Sequence, residues 1–318
     1  GTSILLDIRA RLIDRRSDHP ELEPLERDLT RLLTSWFNRG FLELRELGWT
    51  TPAHILEKLI DYEAVHEIRG WDDLRRRLAP DRRSFGFFHP ALPDEPIIFV
   101  TVALTQGMAS SIQAVIDAPP PDTEPSADTA IFYSITDCQP GLAGISFGSS
   151  LIKQVTRLLA AEMPGLATFA TLSPIPGFAT WLAATHPETD TDDPLAMEHR
   201  CAQYLLTARR CDLPAGLPLD PVARFHLRNG ARVERINWHG DTSDKGMAES
   251  HGILVNYRYS GQDLSANHDA LVQDGLVIAS PEVIALAGSV ESGLAASTPP
   301  VTTGTTGPVS ADEPWPLA

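Results

Sequence analysis

Cysteine is scarce in this sequence, and its three thiols form no recognisable framework. Cys138, Cys201 and Cys211 make no C-x-x-C pair and no even, closely spaced set. Such sets mark disulfide scaffolds and many zinc sites, so both kinds of site are disfavoured. We therefore expect reduced thiols, a reducing compartment and no metal ion.

Long apolar runs are also absent, and the charge is strongly of one sign. No run approaches the ~20 apolar residues that span a bilayer, and residues 1–9 become charged at once. We expect neither a membrane span nor a secretory signal, and a cytoplasmic location. The 42 acidic and 26 basic residues give a net charge of −16, which opposes nonspecific binding to nucleic acid or anionic membranes. Any anionic ligand must then be received by local hydrogen-bond donors.

The remaining composition is that of a globular protein, and the residue pattern changes twice along the chain. Residues 1–83 carry apolar side chains at helical spacing, which predicts an all-α bundle. Residues 84–294 alternate β-rich runs with helical segments, which predicts a mixed α/β domain. Residues 295–318 are rich in Ser, Thr, Pro and Gly, which is typical of a disordered tail. The predicted fold class is therefore α+β, with the helical bundle first.

A strand, a glycine-rich stretch and a helix follow one another between residues 129 and 161. Free N–H groups at the helix start and small residues beside them suit a pyrophosphate, although a plain tight turn is the alternative. Residues 144–148 also match the G-x-S-x-G pattern of a nucleophile elbow. An elbow places its serine directly between strand and helix, whereas Pro140 and Gly141 separate Ser146 from the strand. An elbow is therefore disfavoured.

A stiffened turn after the next strand displays one hydroxyl group. Residues 166–172 have the apolar, Thr-rich character of a buried strand, and residues 177–184 have helical spacing. Between them, Pro174 and Pro176 bias the residues that precede them towards extended geometry. Ser173 is therefore a candidate functional residue. Its alternative role is a helix cap.

A histidine lies near the end of a short predicted helix. Asp220 and Pro221 form a start signal, and the Asn229-Gly230 pair forms a stop signal. This helix places His226 in its last turn. A structural histidine or a C-terminal cap is the alternative to a catalytic role.

Several short stretches between residues 30 and 285 form a shared signature. They are WFNRGFL (36–42), YEAVH (62–66), VALT (102–105), IQAV (112–115), AIFYSI (130–135), LIK (151–153), LSPIPGF (172–178), PVARFHLRNGA (221–231), RINW (235–238) and NYRY (256–259). In this order they resemble the malonyl-CoA decarboxylase family. The segments around Ser173 and His226 are the most specific.

The resemblance implies both an architecture and an activity. It implies an N-terminal helical oligomerisation domain, a catalytic domain of the GCN5-related N-acetyltransferase (GNAT) fold, and a homo-oligomer of two or four chains. The implied enzyme is a carboxy-lyase of fatty acid metabolism that converts malonyl-CoA to acetyl-CoA and CO2 without a cofactor. In that family the serine and histidine of the two motifs are the catalytic pair, which carries over to Ser173 and His226.

Residues in the glycine-rich stretch, on the helix after it and beside the two motifs are expected by their position to contact coenzyme A or the malonyl group. Animal members carry a glutamate where this chain has Ser146, so no carboxylate role is carried over to the glycine-rich stretch. The expected substrate-binding residues are Gly144, Ser146, Gly148, Ser149, Lys153, Pro174 and Asn229.

The division of labour and two competing functions stay open at this point. Ser173 would bind the malonyl carboxylate or relay a proton, and His226 would polarise the thioester oxygen or supply that proton. The first rival is a thioesterase or acyltransferase with Ser173 as nucleophile, His226 as base and Asp241 as orienting acid. The second rival is a catalytically silent CoA-binding protein.

Overall fold

The structure is a computed structural model that describes residues 1–121, 126–145, 150–210 and 216–288. Within these ranges the chain forms a seven-stranded sheet with packed helices. The predicted tail at 295–318 lies outside the described residues. So do Cys211 and three of the expected substrate-binding residues, Ser146, Gly148 and Ser149.

The described α-helices follow the apolar periodicity of the sequence at most of the predicted places. They are α1 (Thr2–Arg15), α2 (Glu23–Trp36), α3 (Ala53–Tyr62), α4 (Trp71–Arg77), α5 (Ile112–Ile116), α6 (Ser150–Glu162), α7 (Phe178–Thr185), α8 (Pro194–Thr207), α9 (Pro221–Arg228), α10 (Asp244–Ser250), α11 (Leu264–Asp274) and α12 (Pro281–Ala287). In this part of the chain no helix has both the length and the apolar character to cross a membrane.

The sheet is mostly antiparallel and contains one parallel pair. Its strands are β1 (Glu43–Leu47), β2 (Arg82–His89), β3 (Leu92–Thr105), β4 (Thr129–Asp137), β5 (Thr168–Thr171), β6 (Arg232–Asn237) and β7 (Leu254–Tyr259). They lie side by side in the order β1-β2-β3-β4-β5-β7-β6, and β4 runs parallel to β5. Helices first and a mixed sheet afterwards confirm the predicted α+β class.

Both faces of the sheet are covered. Side chains alternate between the two faces along each strand, so neighbouring residues belong to different buried clusters. On β3, Val102 and Leu104 belong to the large core on one face, whereas Ala103 belongs to a smaller cluster on the other face. The large core also holds apolar side chains of α6, α8 and α9. The predicted functional segments are therefore attached to the main core of the protein.

Strands β4 and β5 separate at the point where the predicted functional serine lies. Their pairing ends at Phe132 opposite Thr171, and the last bond between them runs from the Leu172 N–H to the Phe132 carbonyl at 3.0 Å. Beyond this point Ser173 pairs with Val255 of β7. Strand β4 continues beside β3. The chain around Ser173 thus forms one side of a fork in the sheet.

The predicted division at residue 84 does not coincide with a gap between two cores. Strand β1, which lies inside the segment predicted to be all-helical, pairs with β2 along its whole length. Helices α3 and α4 share a buried cluster with Phe88 and Phe99 of the sheet. Apolar contacts cross residue 84 because α3 and α4 need a partner surface and the sheet provides it.

Candidate active site

Ser173 is fixed by backbone bonds on one side and by proline on the other. Its N–H donates to the Val255 carbonyl and its carbonyl accepts from the Val255 N–H, both at 2.9 Å. Pro174 then prevents the chain from continuing the ladder. Only 6% of Ser173 is exposed. The alternative role as a helix cap does not hold, because α7 begins after Gly177 and has no side-chain cap.

His226 is presented by α9, whose start and stop follow the sequence signals. The Asp220 carboxylate accepts from the Ala223 N–H at 2.8 Å, which caps the helix. The imidazole is 1% exposed and stacks on Tyr257, with ring centroids 4.7 Å apart. Burial lowers the pKa of His226 to about 3, so the ring is neutral at pH 7.

The two predicted residues are in direct contact, and their hydrogen bonds run in one direction. The Ser173 hydroxyl donates to Thr171 Oγ1 at 2.8 Å, and Ser173 Oγ lies 3.0 Å from His226 Nε2. A serine has one proton to donate, so a Ser173 hydroxyl that donates to Thr171 is matched by the tautomer of His226 in which Nε2–H donates to Ser173. A neutral imidazole has one N–H, so Nδ1 must accept from the Tyr259 hydroxyl at 2.8 Å. These two bonds together correspond to the Nε2–H tautomer of His226.

Further polar contacts hold the acceptor end of this chain. Thr171 Oγ1 also accepts from the Tyr257 N–H at 3.1 Å, and the Thr171 carbonyl accepts from Asn256 Nδ2 at 2.7 Å. Asn256 Oδ1 in turn accepts from Arg235 Nε at 3.1 Å and Asn237 Nδ2 at 2.9 Å. These contacts explain why the 235–238 and 256–259 stretches accompany the Ser173 motif.

A single buried carboxylate touches both segments of the candidate site. Asp220 caps the helix of His226 through Oδ1, and Oδ2 lies 3.5 Å from both the Gly177 N–H and the Tyr204 hydroxyl. Burial raises the pKa of Asp220 to about 6, although bonds from backbone N–H groups oppose this shift. At Gly177 a Cβ would lie 2.5 Å from the Tyr204 oxygen, so glycine permits the approach. Asp220 thereby links the Ser173 turn to α9.

The acid suggested for the nucleophile hypothesis lies elsewhere. Asp241 accepts from Gln113 Nε2 at 2.8 Å and from the Ser243 N–H at 2.9 Å. Among the described residues, the two ring nitrogens of His226 meet the hydroxyls of Ser173 and Tyr259. The geometry therefore gives Asp241 no orienting role at this histidine.

The described substrate-binding candidates differ in their settings. Gly144 has φ +84°, a backbone conformation that strains other residues. Lys153 lies on α6, and Pro174 follows Ser173 directly. Asn229 is buried at the end of α9, where its Nδ2 donates to the Phe225 carbonyl at 2.9 Å. This bond occupies one amide hydrogen and leaves the Asn229 side-chain oxygen for other contacts.

Sequence reasoning missed Thr171 and Tyr259 as functional candidates. Thr171 lies two residues before Ser173, and in a strand such residues point to the same face, so alternation could have identified it. Tyr259 ends a stretch of the family signature, yet nothing in its neighbours distinguishes its hydroxyl from that of Tyr257. Only the fold shows that the Tyr259 hydroxyl reaches His226.

Replacing Tyr259 with phenylalanine is expected to reduce turnover about 10-fold through His226. The change keeps the ring but leaves Nδ1 buried without its donor, at a cost of about 1–3 kcal/mol, and the tautomer is no longer fixed. Steady-state kinetics should show a lower kcat with little change in KM. Nitrogen NMR of the imidazole should show loss of the single Nε2–H tautomer.

Tyr257→Phe is the matched control for this prediction. It makes the same change on the same strand, and the Tyr257 hydroxyl has no hydrogen-bond partner among the residues described here. It should retain normal kcat. Equal losses in the two variants would show that ring packing, rather than the hydroxyl on Nδ1, is what matters.

Comparisons with known proteins cover most of the chain. The family model described as malonyl-CoA decarboxylase C-terminal domain matches residues 40–200 and 194–296. The family model described as malonyl-CoA decarboxylase N-terminal domain matches residues 1–37. The two matches meet near residue 38, between α2 and β1.

Similar proteins include animal enzymes and bacterial crystal structures. The mitochondrial malonyl-CoA decarboxylase of Anser anser anser is 35% identical over 89% of this chain, and that of Rattus norvegicus is 33% identical over 92%. The chain spans 66% and 69% of these two relatives. The malonyl-CoA decarboxylase structure from Agrobacterium vitis is 48% identical with a TM-score of 0.83, covering 91% of this chain and 76% of that one. The structure from Rhodopseudomonas palustris is 46% identical with a TM-score of 0.81, covering 89% and 75%.

Proposed function

The chain belongs to the malonyl-CoA decarboxylase family, and from this premise we propose that it is a carboxy-lyase converting malonyl-CoA to acetyl-CoA and CO2. The observation that carries the proposal is the one-way hydrogen-bond chain from Tyr259 through His226 to Ser173. It places one hydroxyl and one imidazole together at a buried position, with Ser173 donating to Thr171 rather than to His226, and this supports a role in proton donation rather than in nucleophilic attack.

The proposed reaction needs no cofactor, because the substrate supplies its own electron acceptor. Cleavage of the bond between the malonyl carboxylate and the neighbouring carbon releases CO2. The electron pair of that bond moves into the thioester, which becomes an enolate. The carbon then takes up one proton and acetyl-CoA results. The protein has to stabilise the enolate oxygen and provide a path for that proton.

His226 is suited to stabilise the enolate oxygen. Its ring is neutral at pH 7 because burial lowers its pKa to about 3, and its proton is on Nε2. A neutral imidazole N–H can donate to a developing oxyanion without first carrying a charge in the buried site. Burial also raises the pKa of Tyr259, so its hydroxyl stays protonated as the donor to Nδ1. We assign the thioester oxygen to His226 Nε2–H.

Ser173 is suited to the carboxylate side of the same substrate. Its hydroxyl can turn from Thr171 to the malonyl carboxylate and, after CO2 leaves, relay a proton to the carbon, taking up a replacement proton that comes from solvent as it gives up its own. Thr171 is a neutral acceptor, so this turn breaks a single neutral hydrogen bond. The buried Ile175 and Phe178 limit water near the turn, which weakens solvation of the carboxylate and discourages hydrolysis.

The thioesterase alternative requires the opposite hydrogen-bond direction. An activated serine donates its proton to a histidine nitrogen that accepts, and an acid orients the other nitrogen. Here Ser173 donates to Thr171 and His226 Nδ1 accepts from Tyr259. The site therefore favours decarboxylation over acyl transfer.

The coenzyme A contacts form a separate part of the proposal. We assign the nucleotide end to the glycine-rich stretch, through Gly144, Ser146, Gly148 and Ser149, and to Lys153 on α6. The acyl end is assigned to Pro174 and Asn229. Support comes from the positive φ of Gly144 and from the place of Pro174 beside Ser173.

The oligomeric state and the cellular location are further parts of the proposal. We propose a homo-oligomer formed through the N-terminal helices, where Ile4 and Leu25 are exposed apolar side chains. A cytoplasmic location fits the free, buried thiols of Cys138 and Cys201. The two animal relatives are named as mitochondrial proteins. A role in fatty acid metabolism follows from the proposed substrate.

Mass spectrometry of the products formed from malonyl-CoA tests this function. The expected products of the purified protein are acetyl-CoA and CO2 in equal amounts. Free CoA with malonate would instead establish the thioesterase alternative. Binding of CoA without turnover of malonyl-CoA would establish the silent binding protein. The Tyr257→Phe variant serves as an active control.

A further inference from the structure

Helix α1 packs directly against the first part of the glycine-rich stretch. A Cβ at Gly141 would collide with the backbone carbonyl group of Leu6, so only glycine allows this approach. Leu6 is 3% exposed and shares the large core with Leu142 and Ile145. The N-terminal helix and this stretch therefore meet through their backbones as well as through side chains.

Arg9 of α1 forms the polar part of this contact. Its Nη1 donates to the Gly141 carbonyl at 2.7 Å, across 132 residues of sequence. Its Nε donates to Glu26 Oε1 and Thr30 Oγ1, both at 3.1 Å, and Nη2 lies 3.0 Å from Glu26 Oε1. Only 3% of Arg9 is exposed. The guanidinium is thus oriented by side chains of α2 while it donates to the backbone of the glycine-rich stretch.

The same guanidinium also lies beside Gly144, the next glycine of the stretch. Arg9 Nη2 would be 3.6 Å from a Cβ at Gly144, whose φ of +84° already requires glycine. Burial lowers the pKa of Arg9, and the Glu26 carboxylate opposes that shift, so the group stays charged at neutral pH. A charged donor on a buried carbonyl forms one of the stronger hydrogen bonds in a protein.

We propose that Arg9 is a positioning residue for coenzyme A binding, acting through Gly141 to Gly144. This inference rests on the proposed function, in which the glycine-rich stretch receives the nucleotide end of the substrate. Glycine residues such as Gly141 and Gly144 have wide backbone freedom, and part of this freedom is lost when a ligand binds beside them. Arg9 reduces that loss by fixing the Gly141 carbonyl before the ligand arrives.

The effect should be confined to nucleotide binding because the reacting groups are held separately. Ser173 is fixed by Val255, and His226 by α9 and Tyr259. None of these contacts involves α1 among the residues that the structure describes. Loss of Arg9 should therefore weaken binding of the CoA moiety and leave the chemical step unchanged.

The test compares Arg9→Met with Arg11→Met, the same change at an exposed position on the same helix. Calorimetric titration with free coenzyme A should show a Kd raised about 10- to 100-fold in Arg9→Met and unchanged in Arg11→Met, as expected for loss of a charged hydrogen bond. With malonyl-CoA, KM should rise by a similar factor while kcat stays within about 3-fold.

A truncated substrate separates positioning from general damage. Malonyl-N-acetylcysteamine has the reacting thioester but no nucleotide, so Arg9→Met should turn it over with unchanged kcat/KM. An equal loss for both substrates would overturn the inference, and so would an unchanged Kd for coenzyme A. If Arg9→Met does not fold, Glu26→Gln provides the same test, because it removes the carboxylate that orients the guanidinium and predicts a smaller rise in Kd.

The outcome for the proposed function is distinguishable from this one. A wild-type protein that binds no coenzyme A overturns both. If the wild type binds coenzyme A and the Arg9→Met variant has the same Kd, only the proposed role of Arg9 is overturned.

Discussion

Replacing His226 with asparagine is expected to lower kcat for CO2 release by about 10²- to 10⁴-fold, the usual range for a group that assists proton transfer or stabilises charge. Asparagine is too short to reach both Ser173 and Tyr259, so the donor to the thioester oxygen is lost. The fold should be retained, since the Asp220 cap of α9 does not involve the imidazole, although Tyr257 loses the ring that stacks on it. Radiometric CO2 release and circular dichroism would be measured on the same sample. Near-normal release from a folded variant would remove His226 from the mechanism.

The dependence of stability on pH below about 6.5 provides a second test of the state of His226. Burial lowers the pKa of His226 in the folded protein to about 3, whereas an unfolded histidine has a pKa near 6.5. Below about pH 6.5 the unfolded state therefore binds the extra proton, and stability falls as the pH is lowered towards the folded value. His226→Asn should be less sensitive to acid unfolding than the wild type. Protonation of His226 should contribute no titration of the wild-type kcat near pH 6.5, because the ring is already neutral there.

Replacing Ser173 with alanine is expected to lower kcat by about 10²- to 10³-fold, as for loss of one donor at a developing charge. Thr171 and His226 then lose the hydroxyl that links them, and the carboxylate loses its donor. Because the Ser173 backbone keeps both bonds to Val255, the melting temperature should change little. Acetyl-CoA formation should be followed together with the melting curve. Full activity in the alanine variant would contradict the proposed role.

Ser173→Cys distinguishes the two uses of this position. A thiol is a stronger nucleophile but a weaker hydrogen-bond donor than a hydroxyl. The proposed mechanism predicts low decarboxylation and no covalent intermediate. A malonyl or acetyl adduct in the intact-mass spectrum would favour the thioesterase alternative.

Local signals in the sequence were sufficient for the helix that carries His226. Asp220 and Pro221 predicted its start, and the Asn229-Gly230 pair predicted its end. In the structure Gly230 has a φ of +85°, a conformation that glycine adopts readily. The strand and turn around Ser173 were predictable for a similar reason, since the prolines restrict the backbone. The contact of Ser173 with His226 spans 53 residues of sequence, and only the resemblance to a family indicated it.

The elements that sequence reasoning missed have weak local patterns. Strand β1 has five residues, and only Leu47 is buried, so it shows no alternation and is defined by its pairing with β2. Helix α11 buries one side chain, Leu271, and therefore has little amphipathic pattern. The Tyr259 hydroxyl was missed because its role depends on the relative placement of β7 and α9. Such features follow from tertiary packing, which a single sequence reports poorly.

The contact of α1 with Gly141 has a consequence for how this protein could be recombined. The two family segments meet near residue 38, yet Leu6 and Leu33 before that point share one core with Leu142 and Ile145 after it. A chimaera that took its first 37 residues from a relative would inherit one half of a matched surface. It would need the facing residues of the glycine-rich stretch from the same parent. The two segments therefore form one structural unit and cannot be exchanged separately between relatives.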